Sequence, residues 1–114
     1  MGVKCLPIVD SKDSGIINGY MIECPACRFG HAFYVRAIPN GMGGTTPVWQ
    51  FNGNMERPTF RASMKVTYGP RSAPQICHSF VTDGRIEFCG DCTHPYRGQT
   101  LDLPDMDGKA GDSR

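Results

Sequence analysis

The sequence predicts a small, mainly β domain of short antiparallel strands and hairpins, and three observations carry that prediction. Fourteen glycines and nine prolines are scattered through short runs of alternating apolar and polar residues, a composition that makes many turns and few helices. No apolar stripe at helical spacing runs through the chain. At 114 residues the chain fits one domain, and a domain of this size buries a limited core and gains from a metal or disulfide staple.

Taken in order, residues 3–9 read as an edge strand interrupted by Pro7, since proline cannot donate to a ladder. Cys5 within it reads as a small buried thiol. A polar loop over 10–15 leads to a strand over 16–23. Cys24-Pro25-Ala26-Cys27 follows, with the two-residue gap that lets both thiolates of a tight turn point at one tetrahedral ion while backbone amides stabilise the sulfurs. A thioredoxin-like redox pair shares the spacing but requires a helix after it, and residues 31–38 alternate as a strand. His31 shares a face with Phe33 and Val35 and reads first as a packed or hydrogen-bonded histidine, with metal ligation as its alternative.

The glycine-rich stretch 40–47 lacks the Gly-Lys-Ser/Thr ending and the following helix of a phosphate cradle, so it reads as a connector. Trp49 and Phe51 share one face of a short strand that runs into the Asn52-Gly53 turn, and read as core aromatics. Residues 58–68 give the cleanest alternation: Phe60, Ala62, Met64, Val66 and Tyr68 on one face, Thr59, Arg61, Ser63, Lys65 and Thr67 on the other. This is the pattern of a half-buried antiparallel strand. Arg57, Arg61, Lys65 and Arg71 form a basic strip that reads as a solvated face.

Residues 77–94 hold three of the six cysteines and two of the three histidines. Asp83-Gly84 between Val81 and Ile86 is the signature of a two-residue type I′ hairpin, in which both central residues take positive φ. That turn sets Thr82 opposite Arg85, Val81 opposite Ile86, Ser79 opposite Phe88 and His78 opposite Cys89. Cys77, Ser79, Val81, Ile86 and Phe88 then share one face, with Cys92 and His94 joining it if the strand runs on. His78, Phe80 and Cys89 share the other. Gly90-Asp91 is the place where a bulge would exchange the faces. Residues 100–103 suggest a last short strand. Residues 105–114 are polar and glycine-rich and read as a disordered tail to a single domain over 1–104; Asp105-Met106-Asp107-Gly108 lacks the remaining ligands of a calcium loop.

Twelve basic against eleven acidic residues leave a net charge of +1, which gives no global drive towards nucleic acid or an anionic membrane. No apolar run reaches the roughly 20 residues of a membrane span, and the start of the chain has no signal-peptide core. A cytoplasmic location is expected. In that compartment thiols stay reduced, so the paired cysteines point to zinc rather than disulfides.

Trp49-x-Phe51-Asn52-Gly53, Pro58-Thr59-Phe60-x-x-Ser63, Cys77-His78-Ser79-Phe80-Val81-x-Asp83-Gly84, Asp91-Cys92-Thr93-His94 and Gly98-Gln99-Thr100-x-x-Leu103-Pro104 resemble a family of small bacteriophage and prophage proteins of unknown function. Some of its members carry the label "ammonia monooxygenase". The resemblance spans about Cys24 to Pro104 and implies a phage or prophage origin and a zinc site. The monooxygenase label finds no support in the residues, which show no copper or di-iron pattern and no membrane span. Relatives often read Cys-Pro-Gly-Cys-Gly at the knuckle, where this chain has Ala26 and Arg28.

Two ligand sets compete. Spacing alone favours Cys89 and Cys92 as partners of Cys24 and Cys27, a four-cysteine zinc ribbon. The hairpin register puts Cys89 and Cys92 on opposite faces unless Gly90-Asp91 folds as a second knuckle. The resemblance, in which the positions of Cys89 or Cys92 are not always cysteine, favours Cys24, Cys27, Cys77 and His94, with Cys92, Cys89 and His31 as alternates. A closed four-ligand site is structural, so the leading expectation is a zinc-stapled accessory protein that binds a host or phage protein rather than an enzyme. A small zinc-dependent hydrolase of peptide or amide bonds, with His78 or Asp91 as base, is the first alternative; Glu87 is a further candidate base. A nucleic-acid-binding ribbon is the second.

Overall fold

The computed structural model describes residues 2–106 and contains eight strands and, among the described residues, no helix. Strands β1 (Leu6–Val9), β2 (Ile17–Glu23) and β3 (Gly30–Tyr34) form an antiparallel sheet in the order β1-β2-β3. Strands β4 (Gln50–Phe51), β5 (Phe60–Tyr68), β6 (Gln75–Thr82), β7 (Arg85–Phe88) and β8 (Thr100–Asp102) form a second, ordered β4-β5-β6-β7-β8. The mainly β expectation, of short antiparallel strands and hairpins, holds. Among the described residues, no helix is long and apolar enough to cross a membrane.

The inner faces of both sheets supply one core. Ile22 and Phe33 come from the first sheet, and Phe60, Val81, Ile86 and Phe88 from the second, all at most 2% exposed. Phe33 stacks on Phe60 with centroids 4.3 Å apart, Phe51 stacks on the other side at 4.9 Å, and Trp49 meets Phe33 edge-on at 5.3 Å. Trp49 and Phe51 are thus half-buried aromatics packed against the core rather than fully inside it. Pro7 lies on the edge strand β1, and Cys5 is buried with its thiol pushed up to about 11 by desolvation.

The hairpin register is the one Asp83-Gly84 dictates: Thr82 faces Arg85, Val81 faces Ile86 and Ser79 faces Phe88. Asp83 and Gly84 have φ of 53° and 78°. A side chain at position 84 would also meet the Arg57 backbone at 3.3 Å, so glycine is required twice over. Arg57 pairs with Asp83 through two bonds of 2.9 and 2.7 Å, which takes one member of the basic strip out of use.

Besides a register shift at Ile8–Val9 in the first sheet, two bulges depart from regular pairing in the second. In β5, Phe60 faces Val81 but Met64 faces Ser79, so three residues, 61–63, stand against Phe80 alone. An even number of extra residues preserves the faces beyond the bulge. Ala62, expected in the core, is exposed because it lies in the bulge. After β7, Cys89 N–H donates to the His78 carbonyl, yet Thr93 N–H donates to that of Ile76. Regular pairing would put Asp91 there, so Gly90 and Asp91 are looped out. Two extra residues again preserve the faces, and Cys92 stays on the buried face with Cys77.

Several strands are shorter than their patterns: 31–38 yields Gly30–Tyr34, and 48–53 yields Gln50–Phe51. Of the stretch expected to be disordered, Asp105 pairs with Lys4 at 2.7 Å and the Met106 amide donates to Val3 at 2.7 Å. Residues 107–114 lie outside the described part.

Candidate active site and metal centre

The two bulges bring three polar side chains together on the outer face of the five-stranded sheet. His78, in the middle of β6, points outward between them. Its Nε2 lies 3.1 Å from Ser63 Oγ, on the β5 bulge. Its Nδ1 lies 3.1 and 3.2 Å from the Asp91 carboxylate oxygens, on the bulge after β7. Asp91 accepts from Nδ1–H, which leaves the Nε2 lone pair for the serine hydroxyl. Serine, imidazole and carboxylate in this order form the relay that activates a hydroxyl as a nucleophile.

Neighbouring groups hold this relay in place. The Trp49 indole N–H donates to the Ser63 carbonyl at 3.1 Å, fixing the backbone of the bulge. The Cys92 thiol engages both backbone groups of His78, accepting from its N–H at 3.3 Å and donating to its carbonyl at 3.2 Å. Lys65 Nζ stands 3.8 Å from Asp91 Oδ2. Phe80 follows His78 on the same face, 44% exposed, with ring centroids 6.4 Å apart.

On the opposite, buried face of β6 lies a second constellation. Cys24, Cys27, His31 and Cys77 place one ligand atom each within 4.8 Å of all the others. The Cys24-Pro25-Ala26-Cys27 turn closes as a knuckle: Cys27 N–H points to Cys24 Sγ at 3.4 Å, and Arg28 N–H bonds the Cys24 carbonyl at 2.9 Å. Arg28 takes φ of 67°, the left-handed conformation in which glycine carries no cost. The side-chain nitrogen His31 Nε2 is buried without a hydrogen-bond partner. Three thiols and an unpartnered imidazole nitrogen converging in a buried site fit a bound metal ion.

Cys24 and Cys77 Sγ are 3.9 Å apart. Hydrogen bonding from Cys77 first, then the nearby His31 imidazole and the Cys27 amide, lower the Cys24 thiol against the opposing effect of burial. Cys77 is raised, first because its proton serves Cys24 and then by burial. Burial also raises Cys27, whose sulfur accepts from the Tyr68 hydroxyl at 3.7 Å. Tyr68 itself is pushed up to about 12 by that bond. The direction of the shift at Cys24 favours its thiolate, the form in which a cysteine ligates a metal.

His94, placed by the sequence reading with Cys24, Cys27 and Cys77, lies instead with Cys77 and Cys92 in a separate grouping. Its Nδ1 accepts the Tyr96 amide at 3.2 Å, and its Nε2, like that of His31, is buried without a hydrogen-bond partner. His31, an alternate in that reading, occupies the fourth position. Cys92 sits beside Cys77 but spends its thiol on His78. Cys89 lies on the outer face near His78 and Asp91, not with the knuckle.

Residues 4–89 match the family described as the bacterial ubiquitination-like system serine protease, BubE. The chain belongs to this family. A search of curated proteins found no match, and a search of solved structures found none either. For a BubE-family chain, the residue that the sequence reading did not single out is Ser63. It was visible only as the end of Pro58-Thr59-Phe60-x-x-Ser63, placed correctly on the outer face but with no glycine-flanked nucleophile motif to mark it.

Proposed function

We propose that this chain is a serine protease of a bacterial ubiquitination-like system, with Ser63 as nucleophile, His78 as general base and acid, and Asp91 as the carboxylate that orients His78. The observation that carries the reading is His78 bridging Ser63 Oγ and the Asp91 carboxylate at 3.1 Å on each side. The family description supports it independently.

On this reading Ser63 Oγ attacks the carbonyl carbon of the scissile bond while His78 Nε2 takes its proton. Asp91 stabilises the imidazolium and keeps Nε2 directed at the reacting atoms. The tetrahedral intermediate collapses as His78 returns the proton to the leaving group. Water then hydrolyses the acyl-serine, again with His78 as base. The outer face of the sheet is open beside Phe80, so a protein chain can reach Ser63 without entering a closed cavity. The protein partner expected from the sequence is here a substrate. His78 and Asp91, which the sequence put forward for a metal-assisted hydrolase, serve a serine instead.

The buried constellation has a different duty. Three thiolates and one imidazole suit zinc, and four protein ligands make a closed, structural site. When bound, the ion supplies a cross-link between the knuckle and β6, joining residues 53 positions apart in a domain with a small core.

The test is hydrolysis of peptide and activated-ester substrates by the purified chain and by Ser63→Ala and His78→Ala. Turnover by the wild type that falls about 10³-fold or more in both variants, the usual scale for members of such a relay, supports the reading. Turnover that persists in Ser63→Ala contradicts it.

A further inference from the structure

Cys89 has no place in the reaction just described, yet its sulfur lies with an imidazole nitrogen of His78 and a carboxylate oxygen of Asp91 in one group, all within 4.8 Å of one another. We propose that these three residues form a second site for a thiophilic divalent cation of the zinc class, and that its occupancy switches the protease off. The inhibitory part rests on the serine-protease reading; the binding part does not.

The site shares no residue with Cys24, Cys27, His31 and Cys77, and lies on the solvent side of the sheet rather than in the core. Its backbone is already organised. Cys89 N–H is bonded to the His78 carbonyl at 2.8 Å, and the Cys92 amide closes the Gly90-Asp91 turn on the Cys89 carbonyl at 3.2 Å. A sulfur, a nitrogen and an oxygen donor together select a borderline-soft ion, whereas calcium and magnesium require oxygen cages. Three protein ligands leave a coordination position open, so binding is weaker and more reversible than at the four-ligand site. One cation already neighbours Asp91: Lys65, whose half-exposed side chain can return to water as the metal enters.

Inhibition follows from valence. Both imidazole nitrogens of His78 are engaged in the relay, and a cation that takes either nitrogen removes a contact that catalysis requires. On Nε2 it occupies the lone pair that receives the serine proton. On Nδ1 it displaces Asp91. Cation and working relay are mutually exclusive, and neither arrangement requires the chain to move beyond side chains.

The experiment titrates the protein that already carries its first metal equivalent with Co²⁺, read by the thiolate-to-cobalt absorption, and with Zn²⁺, read by hydrolysis of an activated ester. A second equivalent with a thiolate signature is expected, accompanied by loss of hydrolysis that a weak chelator reverses. Cys89→Ala and Cys89→Ser should keep basal hydrolysis and the first equivalent. They should require at least about tenfold more Zn²⁺ for inhibition, the lower end of what even an outer-shell partner of a ligand is worth. Absence of the second thiolate signature, unchanged inhibition in both variants, or faster hydrolysis on adding the second equivalent would each overturn the proposal. If the wild type hydrolyses nothing before Zn²⁺ is added, the serine-protease reading fails, while the Co²⁺ titration still decides whether the site binds.

Discussion

Cys77 and His78 are consecutive on β6 and serve opposite faces of the sheet: Cys77 turns inward to within 3.9 Å of Cys24 Sγ, and His78 turns outward between Ser63 and Asp91. Strand alternation alone makes this division. It ties the buried cluster to the outer relay through one peptide unit.

Metal loss should therefore cost both stability and activity. Cys24→Ser or Cys77→Ser is expected to lose the stoichiometric metal, lower the melting temperature by more than ten degrees and abolish hydrolysis, because β6 loses its link to the knuckle. Ser63→Ala, by contrast, should keep the metal and the melting temperature while losing activity. Metal analysis and calorimetry on the same samples check the separation. A Cys24→Ser protein with full metal content would show that the cluster does not hold the ion.

Asp91→Asn leaves the side chain in place but removes the negative charge that supports the imidazolium and fixes the tautomer. A fall in kcat of about 10³–10⁴ with KM little changed is expected, the scale on which such an orienting carboxylate acts in a serine relay. Steady-state kinetics measures it. An unchanged kcat would leave Asp91 outside the reaction.

Cys92 is a positioning residue on this account. Its thiol holds both backbone groups of His78, immediately next to Asp91 in the chain. Cys92→Ala should reduce kcat about tenfold, as expected when one or two hydrogen bonds worth roughly 1 kcal/mol each are removed, with KM and metal content intact. Cys92→Ser, which restores a donor and an acceptor, should recover most of it. Loss of metal in Cys92→Ala would instead make it a ligand.

Trp49 does for Ser63 what Cys92 does for His78. Trp49→Phe keeps an aromatic ring against Phe33 but leaves the Ser63 carbonyl without its donor, at a cost of about 1 kcal/mol. A several-fold lower kcat and a small drop in melting temperature are expected. Equal kcat in the variant would show that the bulge holds the nucleophile without the indole.

The hairpin was legible residue by residue because Asp83-Gly84 leaves one turn type and one register, and the outer placement of His78 and Ser63 followed from alternation. The Cys24-Pro25-Ala26-Cys27 knuckle was legible from its spacing. The relay was not, because Ser63 and Asp91 reach His78 only through two bulges, and insertions in a ladder depend on tertiary packing rather than on the local pattern. Gly90-Asp91 marked where one could occur, but Arg61-Ala62-Ser63 carries no glycine, proline, asparagine or aspartate to mark the other. That His31, rather than His94, stands with Cys24, Cys27 and Cys77 was hidden for a related reason. The face of a strand can be read from sequence, but which histidine reaches across between two sheets cannot.

Whether Ser63 is a nucleophile activated by His78 is decided by covalent labelling. The chain is treated with a fluorophosphonate, an electrophile selective for activated serines, and the modified residue is located by peptide mass mapping. The account predicts one adduct, on Ser63, absent in Ser63→Ala and formed far more slowly in a folded, metal-loaded His78→Ala. No adduct on Ser63, or an adduct formed at the same rate without His78, would contradict it.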